Sequence, residues 1–249
     1  MLTSERKRLL LERLRRDGRI VAKDIAGDLG LSEDTIRRDL RDMAAEGLLA
    51  RVHGGALPRQ PDLPDFATRR TLCEDEKRSL ADRAVALLRP GMLVFVDGGT
   101  TNEAVIRRLP PDLRLTIATH SPTIASALED HSGIDVWLIG GRLYRHSMVT
   151  VGAEAAGAIS LLAPDLFLMG VTGIHPHRGF TTGDAEEAAI KRLIARQSRE
   201  TWILATTEKL DQASPFTILP LHGATGVVLS GGTTDEQTQA LPAAGLRLL

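Results

Sequence analysis

Apolar residues recur at three- and four-residue intervals through the first fifty positions and give way, after residue 90, to short unbroken apolar runs. The first pattern belongs to amphipathic helices and the second to strands covered on both faces. Leu9, Leu10 and Leu14 make the inner face of a first helix, which Ser4 is placed to cap and Asp17-Gly18 to stop. A second helix is expected over residues 21–29, ended by Gly30. Ser32 then caps a third, Glu33 to Glu46, with Ile36, Leu40 and Met43 on one side and Gly47 just past its end. Leu48 to Val52 reads as a strand, His53-Gly54-Gly55 as a tight turn and Ala56-Leu57 as the start of a returning strand.

Pro58, Pro61 and Pro64 follow, three prolines in seven positions. They remove backbone donors and disfavour helix in the residues before them. Residues 58–72 are therefore expected to link a domain at 1–57 to a second at 73–249, the alternative being a surface loop inside one domain. Beyond the prolines, helix and strand patterns alternate. Glu74 to Leu88, Glu103 to Leu109, Pro122 to Glu129, Ala153 to Leu162 and Ala185 to Gln197 are helical in spacing. Leu93 to Asp97, Leu115 to Thr119, Asp135 to Gly140, Asp165 to Gly170, Thr201 to Thr206 and Gly226 to Ser230 read as short central strands. Such alternation predicts an open, mostly parallel α/β sheet.

Composition narrows the class. With 43% hydrophobic and 25% charged residues and a formal net charge of −1, the 249-residue chain is neither a basic coating protein nor a disordered acidic one. Any affinity for nucleic acid must be local. Residues 1–60 hold 13 Lys and Arg against 10 Asp and Glu, whereas the remainder holds 18 against 22. The single cysteine, Cys73, excludes an intrachain disulfide and a multi-cysteine zinc site. His175 and His177 flank Pro176 without spaced partners, so no metal or cofactor is expected. No run approaches the roughly 18 apolar residues of a membrane span, and the N-terminus lacks a secretory pattern, so a cytoplasmic location without membrane contact is expected.

Two helices joined by Gly30-Leu31-Ser32 and followed by a hairpin predict a winged helix-turn-helix, whose second helix enters the major groove of double-stranded DNA. With Ile36, Leu40 and Met43 turned inward, Ser32, Thr35, Arg37, Arg38 and Arg41 occupy the rest of the circumference. Arg37 and Arg38 point about 100° apart, so one can reach a base edge while the other holds a phosphate. Arg51, His53 and Gly54 of the wing are placed for neighbouring phosphates or the minor groove. The bland alternative is an exposed helix face whose arginines pair with Asp34, Asp39 and Asp42.

These residues carry a resemblance. Thr35-Ile36-Arg37-Arg38-Asp39-Leu40, Gly47 and Arg51-Val52-His53-Gly54-Gly55-Ala56 resemble the N-terminal signature of the DeoR family of bacterial sugar-catabolism regulators. The likeness continues through Asp97-Gly98-Gly99-Thr100-Thr101, Gly140-Gly141, Gly170-Val171-Thr172-Gly173-Ile174, Glu187 with Lys191, and Lys209. It implies a transcriptional regulator, most often a repressor, that binds operator DNA as a homodimer or homotetramer. It also implies a second domain of ribose-phosphate-isomerase-like fold that senses a phosphorylated sugar or related effector.

The residues themselves point the same way. Gly98-Gly99-Thr100-Thr101-Asn102 is a small-residue turn between a strand and a helix, where backbone N–H groups and hydroxyls suit an anion, although an ordinary turn has the same composition. It matches neither a Walker loop nor a dinucleotide fingerprint. From spacing alone, Glu187 and Lys191 make a surface ion pair. The resemblance instead places both in the effector pocket, with Asp97, Gly141 and Gly173, and sets Lys209 against the ligand's anion. The chain departs from the family pattern at Thr119-His120, Ala189 and Thr206-Thr207-Glu208-Lys209, so the effector need not be a relative's. His120 with Tyr144, Arg145 and His146 offers a place for a sugar hydroxyl or a second anion, or else His120 is a structural hydrogen-bonder. Two other classes remain: an isomerase-like enzyme using Asp184, Glu186 or Glu187 as base, and a DNA-binding protein with no ligand.

Overall fold

The computed structural model describes residues 2–58, 65–234 and 238–249. The chain divides into two compact units, one formed by residues 1–63 and the other by residues 64–249 apart from 213–215.

In the first unit, α1 (Thr3–Asp17), α2 (Ala22–Leu29) and α3 (Glu33–Ala45) pack around Leu10, Leu14, Ile25, Ile36, Leu40 and Met43. Strands β1 (Ile20–Val21), β2 (Leu49–Val52) and β3 (Gly55–Pro58) form an antiparallel sheet in the order β1-β3-β2. Gly55 has to be glycine, because a Cβ there would lie 1.8 Å from the carbonyl oxygen of Ile20 on the paired strand. Two details differ from expectation. The residue at the N-cap of α1 is Leu2 rather than Ser4, with the Glu5 carboxylate accepting from its N–H at 3.0 Å. Leu9 is half-buried and belongs to no core cluster, because a helical turn cannot aim both Leu9 and Leu10 inward when Arg6 and Leu14 already define the buried stripe.

A buried ion pair joins α1 to α3. Arg6 donates to both oxygens of Asp39, through Nη2 at 3.0 Å and through Nε. The hydrogen bond to Asp39 raises the Arg6 pKa above its ordinary value. Asp39 is thereby withdrawn from the arginines of its own helix.

The second unit has a fully parallel sheet of seven strands. They are β4 (Leu93–Val96), β5 (Leu115–Thr119), β6 (Ile134–Leu138), β9 (Leu166–Gly170), β12 (Glu200–Ala205), β14 (Gly226–Leu229) and β15 (Arg247–Leu248). Their order is β15-β14-β12-β9-β4-β5-β6. Side chains alternate between two cores. Phe95, Phe167, Met169 and Ile203 pack with α8 (Ala153–Ile159) and α9 (Ala185–Gln197). Val94, Leu166, Leu168 and Leu204 pack with α5 (Glu74–Val85), α6 (Thr100–Ile106) and α7 (Pro122–Ala127). Burial on both faces explains the unbroken apolar runs. Smaller antiparallel pieces are the hairpin β7 (Arg142–Tyr144) and β8 (Val149–Val151), and a sheet of β10 (Gly173–His175), β11 (Gly179–Thr182) and β13 (Phe216–Leu219).

The stretch read as a linker divides. Residues 59–64 lie outside the described residues, but Phe66–Thr71 form a helix, α4, whose N-cap Asp65 accepts from the Thr68 N–H at 2.7 Å. Helix α6 begins at Thr100, three residues earlier than expected, because Gly99 at φ 110° turns the chain directly into it.

Asp39→Ala would leave the buried Arg6 guanidinium without its partner, an uncompensated charge costing about 3–5 kcal/mol. Denaturant unfolding followed in the first unit checks this; a loss below about 1 kcal/mol would show that solvent reaches Arg6 freely.

Candidate functional site

In the first unit, the exposed face of α3 carries Arg37, Arg38 and Arg41. Arg37 pairs with Glu33 one turn earlier at 2.7 Å, while neither Arg38 nor Arg41 has an ion pair among the described residues. Ser32 acts as the helix cap, its hydroxyl accepting from the Thr35 N–H at 3.2 Å and meeting Thr35 Oγ1 at 2.9 Å. Arg51 stands exposed on β2, and His53 and Gly54 form the turn into β3. The structure therefore brings Arg38, Arg41, Arg51 and His53 to the surface and leaves Ser32 and Thr35 occupied with each other.

In the second unit, parallel strands deliver all their carboxyl ends to one edge. Chain order reverses between β4 and β9, since β5 and β6 lie to one side of β4 and the later strands lie beyond β9. Open α/β sheets form their binding crevice at such a reversal. Here Asp97, fully buried, closes its floor. Its Oδ2 accepts from the Gly170 N–H at 2.9 Å, across from the end of β4 to the end of β9, and its Oδ1 accepts from the Gly98 N–H at 2.8 Å.

Lys191 and His120 complete the floor. Lys191 Nζ lies 3.0 Å from Asp97 Oδ2 and 3.1 Å from Glu187 Oε1, and donates to the Gly170 carbonyl at 2.8 Å. Glu187 also accepts from the Thr182 hydroxyl at 2.5 Å. His120 faces two oxygens, Asp97 Oδ1 at 2.9 Å through Nε2 and the Thr150 carbonyl at 3.0 Å through Nδ1. Burial alone would raise the Asp97 pKa, yet Lys191 and His120 bring it below the ordinary carboxylate value. Burial would likewise lower Lys191, and Asp97 with Glu187 hold it above its usual value.

Over this floor runs the Gly98 turn. A Cβ at Gly98 would lie 2.3 Å from Val149 Cγ1 and 3.0 Å from the Ser147 carbonyl oxygen, so the hairpin β7–β8 packs directly on it. The hairpin is pinned by the Ser121 hydroxyl on the Met148 carbonyl at 2.7 Å, by Arg142 with Glu186, and by Arg69 of α4, which donates to the His146 carbonyl. A groove of about 290 Å³ beside α4 is lined by Arg70, Lys77, Thr100, Glu103 and Arg107 among others.

The expected effector residues thus fall into groups. Asp97, His120, Glu187 and Lys191 form one buried cluster, so Glu187 and Lys191 are not a surface pair and His120 does not line an open pocket with Tyr144. Thr100 and Asn102 are also buried, Gly99 and Thr101 partly so. Gly141 lies between β6 and β7 against the Val151 carbonyl, and Gly173 against that of Gln212; both are positions of close packing. Lys209 stands on a short helical turn after β12, 3.0 Å from Glu208. Sequence reasoning missed Arg69 and the hairpin. A cation within the run Phe66-Ala67-Thr68-Arg69-Arg70 was the available signal, obscured by the prolines before it.

Comparison with known proteins settles the family. Residues 73–238 match the DeoR C terminal sensor domain, and residues 6–60 match the DeoR-like helix-turn-helix domain. The chain belongs to the DeoR family. It is 32% identical to the HTH-type transcriptional regulator GlpR of Haloferax volcanii, over 100% of this chain and 98% of that one. It is 29% identical to the glycerol-3-phosphate regulon repressor of Haemophilus influenzae, over 84% and 82%. Ribose 5-phosphate isomerase A of Methanocaldococcus jannaschii is similar in structure, with a TM-score of 0.41 and 16% identity; the match spans 55% of this chain and about half, 54%, of that one. This DeoR-family protein is a DNA-binding transcriptional regulator with a winged reader and an α/β sensor. No described helix is long and apolar enough to cross a membrane.

Lys191→Met would strip both buried carboxylates of their shared cation and cost about 3–5 kcal/mol at neutral pH. In the wild type, the Asp97 contribution is present above about pH 4 and lost as pH falls below that, and the Lys191 contribution is lost only as pH rises beyond about 10.4. Part of the variant's deficit is expected to shrink on acidification, as a carboxylate takes up a proton. Urea unfolding of both proteins from neutral to acid pH checks this, and equal stabilities throughout would remove the network from the account.

Proposed function

We propose that this DeoR-family regulator represses a carbohydrate-catabolism operon and is released from its operator when a phosphorylated sugar or related polyol binds at the strand ends of the sensor. The observation that carries the reading is the closed floor at the strand reversal. With Asp97, Glu187 and Lys191 engaged with one another, the Gly98–Thr101 turn and Lys209 remain to meet a ligand's anion. The name of the Haemophilus relative, a glycerol-3-phosphate regulon repressor, supports a phosphate ester as the ligand class.

The carboxylates speak against turnover. A sugar-phosphate isomerase needs a base free to take a proton from substrate. Glu187 is buried between Lys191 and Thr182, Glu186 pairs with Arg142, and Asp184 caps α9 by accepting from the Glu187 N–H. We assign the domain binding without catalysis, in a cytoplasmic homodimer or homotetramer whose paired readers occupy repeated half-sites. We place the reader at 1–57, a linker at 58–72 and the sensor at 73–249, with α4 of the linker joined to the sensor; the family matches at 6–60 and 73–238 support this division.

Arg38→Ala is expected to weaken binding to a duplex selected by the wild-type protein by about 1–3 kcal/mol, with the thermal midpoint unchanged. Fluorescence anisotropy reads this, and undiminished affinity would reject α3 as the reader. Thermal-shift screening of sugar phosphates beside their dephosphorylated forms tests the sensor. A true ligand at 100 times its Kd stabilises by about 2.7 kcal/mol, and Lys209→Ala should lose that shift while keeping DNA binding. Conversion of any ester, followed by NMR, would replace the sensor with an enzyme.

A further inference from the structure

We propose that Arg69, carried by α4, contacts the effector's anionic group, so that a phosphate ester at the strand ends is held in part by the helix that follows the reader in the chain. The inference rests on the sensor reading above and adds a ligand-binding residue outside the Gly98 turn and the strand ends.

Helix α4 is built into the sensor. Buried Lys77 donates to the carbonyls of Leu72, at 2.6 Å, and Arg69, closing the C-terminal end of α4 with a positive charge. Cys73, at φ 52°, makes the sharp turn into α5 that brings Lys77 back to those carbonyls. Arg70 pairs with Glu103 of α6 at 2.9 Å, and the Phe66 ring lies 5.6 Å and 5.3 Å from the guanidinium carbons of Arg69 and Arg70.

From this seat Arg69 reaches the rim of the crevice. It donates to the carbonyl of His146, the residue before Ser147, whose own carbonyl packs on Gly98. Arg69 Nε is buried and has no hydrogen-bond partner. No carboxylate lies within ion-pairing distance of Arg69 among the described residues. Glu187 acts on its charge through space, but the Glu187 oxygens are engaged by Lys191 and Thr182. Burial pushes the Arg69 pKa below the usual arginine value.

A permanent cation with a desolvated N–H is costly until an oxygen meets it, and a phosphate oxygen meets it best. Among the described residues, the other buried side-chain polar atom without a partner is Asn102 Oδ1, on a side chain whose Nδ2 lies 3.4 Å from the Gly98 carbonyl. It lacks a donor, as Arg69 Nε lacks an acceptor. A polyol phosphate monoester carries both, anionic oxygens for the arginine and a hydroxyl for the amide.

The test is calorimetric titration of the full-length protein with inorganic phosphate, glycerol phosphate and hexose phosphates, each ester beside its dephosphorylated form. Arg69→Gln keeps a donor for the His146 carbonyl but no charge, and Arg69→Lys keeps the charge without the fork; both are compared with Arg69→Ala. Arg69→Gln is expected to bind the preferred ester at least about tenfold more weakly, Arg69→Lys to recover part of the loss, and affinity for the dephosphorylated polyol to stay unchanged. Ligand-free thermal midpoints report folding, and should the alanine variant fail to fold, the other two decide. Wild-type binding of an ester with unchanged affinity in Arg69→Gln overturns the assignment and leaves the sensor reading standing. Absence of ester binding by the wild type overturns both.

Discussion

One carboxylate organises the sensor domain. Asp97 is fully buried at the carboxyl end of β4, and its two oxygens accept from two backbone N–H groups, a lysine and a histidine. The bond to the Gly170 N–H spans the point where the chain reverses direction across the sheet, so the crevice every such sheet tends to open is here given a polar floor. The cost of burying that charge is met by Lys191, and the cost of burying Lys191 is met in turn by Glu187 on the same helix face. Thr182 and Asp184 then fix Glu187 and the start of its helix. Removing Lys191 would leave two carboxylates without their shared cation in a dry interior.

Much of this was legible in the order of residues, and the reasons differ by element. The central strands announced themselves because burial on two faces leaves no room for polar alternation, as in Leu93-Val94-Phe95-Val96 and Leu166-Phe167-Leu168-Met169. Helix α3 was legible from its cap and its Ile36, Leu40 and Met43 stripe. Glu187 and Lys191 were visible as a pair, but their burial was not, since four-residue spacing is common to surface and interior pairs alike. The sequence offered Asp39 only an alternative role as a surface partner for the arginines of its own helix, because its true partner, Arg6, is 33 positions away. Short strands such as β7, β8, β10 and β11 left no periodic trace, being three or four residues long.

Helix α4 is the instructive omission. Prolines dominate the reading of residues 58–64 and extend it too far, past Asp65, whose side chain starts a helix in the next position. The helix is only six residues long and has no buried apolar stripe of its own. It persists through tertiary contacts: Lys77 on its final carbonyls, Glu103 on Arg70 and the hairpin carbonyl on Arg69. Such contacts are written in residues far along the chain.

The hairpin β7–β8 carries a further meaning for how such a sensor diversifies. The floor beneath it rests on Asp97, Glu187 and the one lysine, Lys191, that both carboxylates share. The hairpin is different: it meets Gly98 through a backbone carbonyl and one valine, and its tip, Arg145 to Met148, is held through backbone carbonyls that any residue provides. Substitutions at Tyr144, Arg145 and His146 therefore alter the crevice's outline without disturbing what supports it. Within a lineage of such proteins, appetite for new ligands would accumulate in that tip while Asp97, Lys191 and Glu187 beneath it stay constant.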